Sequence, residues 1–92
     1  MTLAELRAQI DVIDEQIVRL LHERAAIAVE VGELKKVTGQ PILCEEREKQ
    51  VMAKVTDPQH GKVLPPDNIV AIYKAIIASA HAVEQRVQDA PR

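Results

Sequence analysis

The chain has 92 residues, which fits one domain at most and lies near the size at which a single core becomes hard to complete. Its 47% hydrophobic content comes from Leu, Ile, Val and Ala, with one Tyr and no Phe or Trp, and such a composition favours helix over sheet. Twelve basic and fourteen acidic residues leave a net charge of -2, so there is no overall positive field to attract nucleic acid or an anionic membrane. We therefore predict one helical domain over residues 1–92, in which any anion site is local.

Several kinds of site are excluded by the residues that the chain lacks. A single cysteine, Cys44, rules out an intrachain disulfide, and the three histidines lack the spacing of a metal site. There is no Gly-rich phosphate loop, no nucleophile elbow, no apolar run of transmembrane length and no N-terminal targeting pattern. We expect a cytoplasmic protein with no metal, no cofactor and no membrane contact.

The N-terminal third is predicted to be one long helix. Thr2 and Glu5 have the spacing of a capping box, and no Gly or Pro follows until Gly32. Apolar residues recur in heptad fashion at 3, 6, 10, 13, 17, 20, 27, 31 and 34. A helix that continues to about Val37 approaches 50 Å at ~1.5 Å per residue. A helix of that length cannot fold against itself, so a partner chain is an early expectation.

Two further helices are predicted after the first one ends. Gly39 suits a C-cap, Pro41 prevents continuation, and Pro66 suits a first helical turn. The predicted segments are a second helix over about Cys44–Val55, a loop over 57–65, a third helix from Pro66 and frayed residues at 88–92. The fold class is therefore all-α, with a three-helix protomer.

Two charged residues share a face of the first helix where apolar residues are expected. Arg24 falls in the heptad stripe, and a buried arginine needs a carboxylate from the protein or from a ligand. The alternatives are an intramolecular salt bridge or snorkelling to solvent. Lys35 lies eleven residues on, ~16 Å along the axis, so the two side chains could hold the ends of one small molecule. A solvated surface lysine is the alternative for Lys35.

Arg7 is a third candidate, but it cannot reach the same molecule from the same helix. It lies seventeen residues from Arg24, or about 25 Å along a rigid helix. If Arg7 contributes to that pocket, it must come from another chain whose long helix runs antiparallel. The alternative is a solvated arginine near the N-terminus.

The later helices add a second group of charges. Arg47 and Glu48 adjoin the apolar positions of the second helix, where a solvated, salt-bridged face is the usual interpretation. Glu84 follows Ile77 and Ala80 at spacings of seven and four, which extends an apolar column into a carboxyl group. Burial and the helix C-terminus both disfavour an anion there, so we expect a protonated hydrogen-bond donor. A position beyond the packed region is the alternative.

Strings along nearly the whole chain resemble one family. They are Leu6-Arg7-Ala8-Gln9-Ile10-Asp11-Val12-Ile13-Asp14, Leu20-Leu21-His22-Glu23-Arg24, Val29-Glu30-Val31-Gly32-Glu33-Leu34-Lys35, Pro41-Ile42 and Glu46-Arg47-Glu48. Their order and spacing are similar to those of the all-helical chorismate mutases. The resemblance implies an intertwined homodimer whose long first helices pair, with two equivalent sites that each borrow one arginine across the interface.

The resemblance also implies roles for individual residues. Arg24 and the partner's Arg7 match carboxylate-binding arginines, and Lys35 matches a lysine that contacts a carboxylate and the ether oxygen. Glu84 occupies the position of a Gln or Glu that donates a hydrogen bond to the ether oxygen. Lys35, Glu84 and Arg24 would be the catalytic residues of a rearrangement of chorismate to prephenate.

The second helix of the family supplies the rest of the implied substrate site. Arg47 and Glu48 match a pair that shapes it, with Glu48 placed for the substrate hydroxyl. Two substrate-binding positions depart from the commoner pattern. Cys44 stands where many relatives have an acidic residue, which leaves its backbone amide to act, and Ala80 stands where some have Ser.

Two other functions stay open at this stage. An isochorismate-pyruvate lyase shares the fold and the cationic pocket, and the departures at Cys44 and Ala80 bear on the choice. A non-catalytic helical dimerisation or regulatory module, which could stimulate a partner enzyme, would need no catalytic arginine. Assays with chorismate and with isochorismate would distinguish the mutase from the lyase.

Overall fold

The chain forms three α-helices and one short 3-10 turn. A computed structural model describes residues 1–91, with helix α1 over Leu3–Thr38, α2 over Glu45–Val55 and α3 over Pro66–Asp89. The 3-10 turn covers Pro58–His60 in the connection between α2 and α3. Residues 1–91 contain no strand. The predicted all-α fold with a long first helix is therefore confirmed.

Local capping sets both ends of α1. The backbone N–H of Glu5 donates to Thr2 Oγ1 at 3.1 Å, which satisfies one of the free amides at the helix start. At the other end Gly39 has φ 77, and its N–H donates to Lys35 O at 2.8 Å. A residue with a side chain would be strained in that left-handed conformation, so Gly39 terminates the helix as predicted.

The end of α3 differs from the prediction. Residues 88 and 89, predicted to fray, belong to the helix, whereas Arg92 lies outside the described residues. The Lys36 ammonium donates to Val87 O at 3.1 Å and also to Ala90 O. These contacts satisfy carbonyls that a helix C-terminus otherwise leaves unpaired, so α1 stabilises the last turn of α3.

The protomer is elongated and has almost no core. Its extents are 55 × 26 × 16 Å, and its radius of gyration is 16.4 Å, against about 12 Å for a compact chain of this length. Ala28, Gly32 and Glu84 are the only buried residues within 1–91. The accessible surface is 7405 Å², against about 5,300 Å² for a folded monomer of this mass. Much apolar surface therefore remains uncovered.

The first half of α1 carries most of that uncovered surface. Its predicted heptad positions are 42% to 61% exposed, and we call this set the α1 stripe: Leu3, Leu6, Ile10, Ile13, Ile17 and Leu20. α3 packs along α1, and the shorter α2 packs on α3. Within the protomer, the α1 stripe is therefore not the face that closes a core.

Gly32 marks the closest approach of α1 to α3. A Cβ atom at this position would lie 3.1 Å from Glu84 Cα, 3.2 Å from Val87 Cβ and 3.4 Å from Glu84 O. Two of these atoms belong to the backbone and cannot rotate away. Gly32 thus allows the helices to cross at a distance that any larger residue would increase, and this crossing positions Glu84.

Gly32→Ala tests this role, because helix propensity and packing predict opposite signs. Propensity alone would stabilise α1 by about 1 kcal/mol, whereas forcing a methyl group into a close contact costs about 1–3 kcal/mol. We expect the clash to prevail and thermal unfolding to shift down by about 4–8 °C. The control is Ala26→Gly on an exposed part of α1, which changes propensity alone. A more stable Gly32→Ala protein would contradict the close-approach explanation.

Candidate active site

A cleft of about 260 Å³ lies where all three helices meet. This volume is just below the usual range for small-molecule sites, about 300–1,000 Å³. Seven of the eight residues singled out in the sequence line it: Arg24, Lys35, Cys44, Arg47, Glu48, Ala80 and Glu84. The structure therefore brings together residues up to 60 positions apart, from Arg24 to Glu84. Their roles in binding and catalysis stay predictions.

Arg7 is the one predicted site residue that does not line the cleft. It lies on the exposed first turns of α1, seventeen residues before Arg24. α1 is a continuous helix between these two positions, so the separation remains about 25 Å. A contribution from Arg7 to this cleft would have to come from a second chain.

Lys35 and Glu84 form a close ion pair inside the cleft. Lys35 Nζ lies 2.8 Å from Glu84 Oε1, and the side chains are 17% and 6% exposed. The contact is an ion pair rather than an aligned hydrogen bond, because Glu84 Oε1 has no hydrogen-bond partner among residues 1–91. The structure thus excludes the alternative that Glu84 lies beyond the packed region. It also gives Lys35 a role other than that of a solvated lysine.

A second contact fixes the ammonium group of Lys35. Lys35 Nζ donates to Ile42 O at 2.8 Å, which ties the end of α1 to the loop before α2. A lysine ammonium has three donors. With one directed to Ile42 O and one facing Glu84, the third is left for a bound molecule. Lys35 is therefore held in place before any ligand arrives.

The two arginines of the cleft differ from Lys35. Arg24 is half-buried and Arg47 is exposed, and neither forms an ion pair with any residue in the described part of the chain. The salt bridge considered for Arg24 is thus absent within residues 1–91. Unpaired guanidinium groups can bind carboxylates with two parallel hydrogen bonds. The cleft is cationic although the whole chain carries a net charge of -2.

His81 is a cleft residue that the sequence analysis did not select. It projects from α3, and its Nε2 lies 3.4 Å from Glu48 Oε1 on α2. The sequence pattern placed His81 on an ordinary amphipathic helix, and its spacing to the other histidines excluded only a metal site. One signal was available: His81 lies three residues before Glu84, which puts the two on neighbouring parts of one helix face.

Cys44 and Ala80 complete the cleft without strong polar contacts. Cys44, the predicted start of the second helix, is the N-cap of α2, one residue before the observed start at Glu45, and its side chain makes no capping hydrogen bond. Its thiol is exposed, and Ala80 lies at the wall formed by α3. The position of Cys44 leaves the free N–H groups of the first turn of α2 next to the cleft.

Neither a metal cluster nor a spanning helix occurs in the part of the chain described. No group of three or more His, Cys, Asp or Glu side chains within residues 1–91 could hold a metal ion. Among those same residues, every helix is too short or too polar to cross a bilayer. The cytoplasmic location expected from the sequence stays a prediction.

Fold and cleft together define a class of protein: an all-helical scaffold whose charged pocket suits a small organic anion. The family model for chorismate mutase type II matches residues 6–85. The chain therefore belongs to the chorismate mutase type II family, as the resemblance in its sequence indicated.

Curated relatives share this similarity over most of the chain. A bifunctional chorismate mutase/prephenate dehydratase of Aquifex aeolicus is 40% identical over 89 residues, covering 94% of this chain and 25% of the relative. The T-protein of Enterobacter agglomerans is 33% identical over 89% of this chain and 22% of the relative. A chorismate mutase of Methanocaldococcus jannaschii is 43% identical over 58% of this chain and 54% of the relative. The chain spans about a quarter of the first two relatives. No solved structure matches it significantly.

Lys35→Met tests the ion pair directly. Removing the ammonium group leaves Glu84 buried without a cation, which we expect to lower the free energy of unfolding by about 2–4 kcal/mol. The double variant Lys35→Met/Glu84→Gln should recover part of that loss, because no charge remains buried. Urea unfolding at neutral pH measures both, with Lys54→Met on the exposed surface of α2 as the control. Equal stability of the single and double variants would contradict the pairing.

Proposed function

We propose that this chain catalyses the rearrangement of chorismate to prephenate in the cleft between its three helices. The observation that carries the proposal is the convergence of Arg24, Lys35 and Arg47 around the buried carboxyl group of Glu84. Cationic groups suit a substrate with two carboxylates, and family membership supports the same substrate. The named activity of two relatives includes chorismate mutase.

The reaction needs positioning and electrostatics rather than a nucleophile or a cofactor. One carbon–oxygen bond breaks and one carbon–carbon bond forms within a single molecule, so no group leaves and no electrons are exchanged with the protein. The protein has to hold a compact conformer and stabilise the negative charge that develops on the ether oxygen. The prearranged Lys35 and the two unpaired arginines can meet both needs.

Each cleft residue receives a role in this proposal. Arg24, with the partner's Arg7, binds the substrate carboxylates. Lys35 donates to a carboxylate and to the ether oxygen. Glu84, which is paired with Lys35 in the free protein, must carry a proton in the complex to donate to the same oxygen from the opposite helix. Because Lys35 and Glu84 are already 2.8 Å apart, both can lie near one substrate atom.

The second helix forms the remaining wall of the proposed substrate site. Arg47 and Glu48 face the substrate from α2, with Glu48 accepting a hydrogen bond from the ring hydroxyl. Cys44 contributes its position at the helix N-terminus, where backbone N–H groups favour an anion. Ala80 leaves space at the wall of α3.

An intertwined homodimer completes the proposal. The protomer exposes about 2,000 Å² more surface than expected for a monomer of its mass, and the α1 stripe contributes to it. A largely apolar groove of about 600 Å³ also lies between α1 and α3 and is lined by Ile17, Leu21 and Ile76 among others. Antiparallel pairing of two α1 helices would cover these surfaces. It would also carry Arg7 of one chain toward the cleft of the other.

Arg24→Ala tests the proposed activity. The wild-type protein should consume chorismate, followed by its absorbance, and the variant should lose about 100- to 1,000-fold in kcat/KM because a prearranged donor is missing. Arg19→Ala on the same helix but outside the cleft is the matched control. A folded wild-type protein that leaves chorismate unchanged would overturn the proposal.

The same assay distinguishes the proposed mutase from an isochorismate-pyruvate lyase. Isochorismate is supplied in parallel, and salicylate and pyruvate are measured. Faster release of these two products than of prephenate would identify a lyase instead. Inactivity toward both substrates, with a stable dimer in solution, would favour the regulatory module.

Complementation between two inactive variants tests the sharing of Arg7. Mixed dimers of Arg7→Ala and Arg24→Ala subunits contain one intact site and one site that lacks both arginines. After joint unfolding and refolding in equal amounts, we expect recovery of about a quarter of the wild-type rate. Each variant refolded alone is the control. Absence of recovery, with mixed dimers verified by mass, would mean that Arg7 does not cross the interface.

Glu84→Gln tests the donor role of Glu84. A carboxylate would repel the charge on the ether oxygen, whereas the amide of Gln keeps a hydrogen-bond donor at this position. The variant should therefore retain most of the wild-type kcat/KM in the chorismate assay. A folded Glu84→Gln protein that has lost its activity would remove the donor role of Glu84 from the mechanism.

A further inference from the structure

The contact between His81 and Glu48 joins two walls of the cleft. We propose that His81 is a positioning residue that aims the Glu48 carboxylate at the ring hydroxyl of the substrate. This inference rests on the proposed function and adds a residue to it. His81 Nε2 lies 3.4 Å from Glu48 Oε1, and both side chains line the cleft at about one-third exposure.

The contact adds a polar link to helix α2, which is only half-buried, through Val51, Met52 and Val55. The helix has no buried residue, and its N-cap Cys44 makes no side-chain capping bond. Within residues 1–91, the pair of His81 and Glu48 is the only polar side-chain contact between α2 and α3. His81 is therefore the polar side chain of α3 that can orient Glu48.

The two oxygens of Glu48 allow a division of tasks. Oε1 faces His81 at 3.4 Å, while neither oxygen accepts an aligned hydrogen bond in the described part of the chain, so Oε2 is left for the substrate hydroxyl. An imidazole can donate from Nε2 in the charged form or in one neutral tautomer, so the contact needs no fixed charge on His81. Holding one oxygen fixes the direction in which the other accepts.

Charge in the cleft explains why this donor comes from a histidine on α3. Glu45, Glu46 and Glu48 crowd the first turn of α2, and a doubly negative substrate adds to their repulsion. Arg24 and Lys35 are engaged by the substrate carboxylates in the proposed complex, and Arg47 forms no ion pair with Glu48 in the described part of the chain. His81 is then the group that keeps Glu48 from turning away.

Steady-state kinetics with chorismate test the inference. His81→Val removes the donor, and we expect kcat/KM to fall by about 5–20-fold, mainly through a rise in KM, as for a partly exposed polar contact with a charged group that tightens in the substrate complex. His81→Gln places a donor at a similar reach and should stay within about threefold of wild type. His60→Val, outside the cleft, is the matched control. Thermal unfolding of each variant verifies the fold.

A double-mutant comparison with Glu48 shows whether His81 acts by positioning Glu48 or only by supporting the fold. In a Glu48→Ala background, His81→Val should cause no further loss. With a chorismate analogue that lacks the ring hydroxyl, wild type and His81→Val should have the same kcat/KM. Equal losses with and without Glu48 overturn the inference, as does a His81→Val protein as active as wild type. A wild-type protein without activity overturns the proposed function itself, so the two failures are distinguishable.

Discussion

The ion pair between Lys35 and Glu84 is the interaction on which the cleft depends. A carboxyl group that is only 6% exposed would be costly without a cation, and Lys35 supplies one at 2.8 Å. The same ammonium group also holds the loop at Ile42, so one side chain connects α1, α3 and the segment that leads into α2. Gly32 makes the pairing possible because it lets the two helices approach. Stability and the proposed chemistry thus share the same atoms.

A second constraint on the fold is that the single chain buries very few residues. Three buried residues cannot stabilise a chain of 92 residues by burial of apolar surface, and the α1 stripe stays exposed. A protein with so little core gains most from a partner that covers a long helix face. In the proposed dimer, folding and completion of the site would be one event. An arginine borrowed from the second chain would then cost nothing beyond the association that the fold already requires.

Features set by local physics could be predicted from the sequence. Thr2 and Gly39 mark helix ends through a single hydrogen bond and a single backbone angle, and both were predicted correctly. Arg24 could be singled out because it interrupts a periodic pattern. The partner of Glu84 could not be predicted, since helical periodicity places residues on a face but does not say which helix lies opposite. For the same reason His81 was missed, because its importance depends on where α2 lies.

Lys35 and Lys36 have different partners although they are neighbours in the chain. Successive residues of an α-helix point about 100° apart, so one lysine enters the cleft while the next clamps the last turn of α3. The directions of both lysines are set by their spacing from Gly32, which faces α3 one turn earlier. Inserting or deleting one residue between Gly32 and Lys35 would rotate both ammonium groups by about 100° around the helix axis, so at most one of the two partners would still face a lysine. The two residues between Gly32 and Lys35 therefore tolerate a change of side chain better than a change in their number.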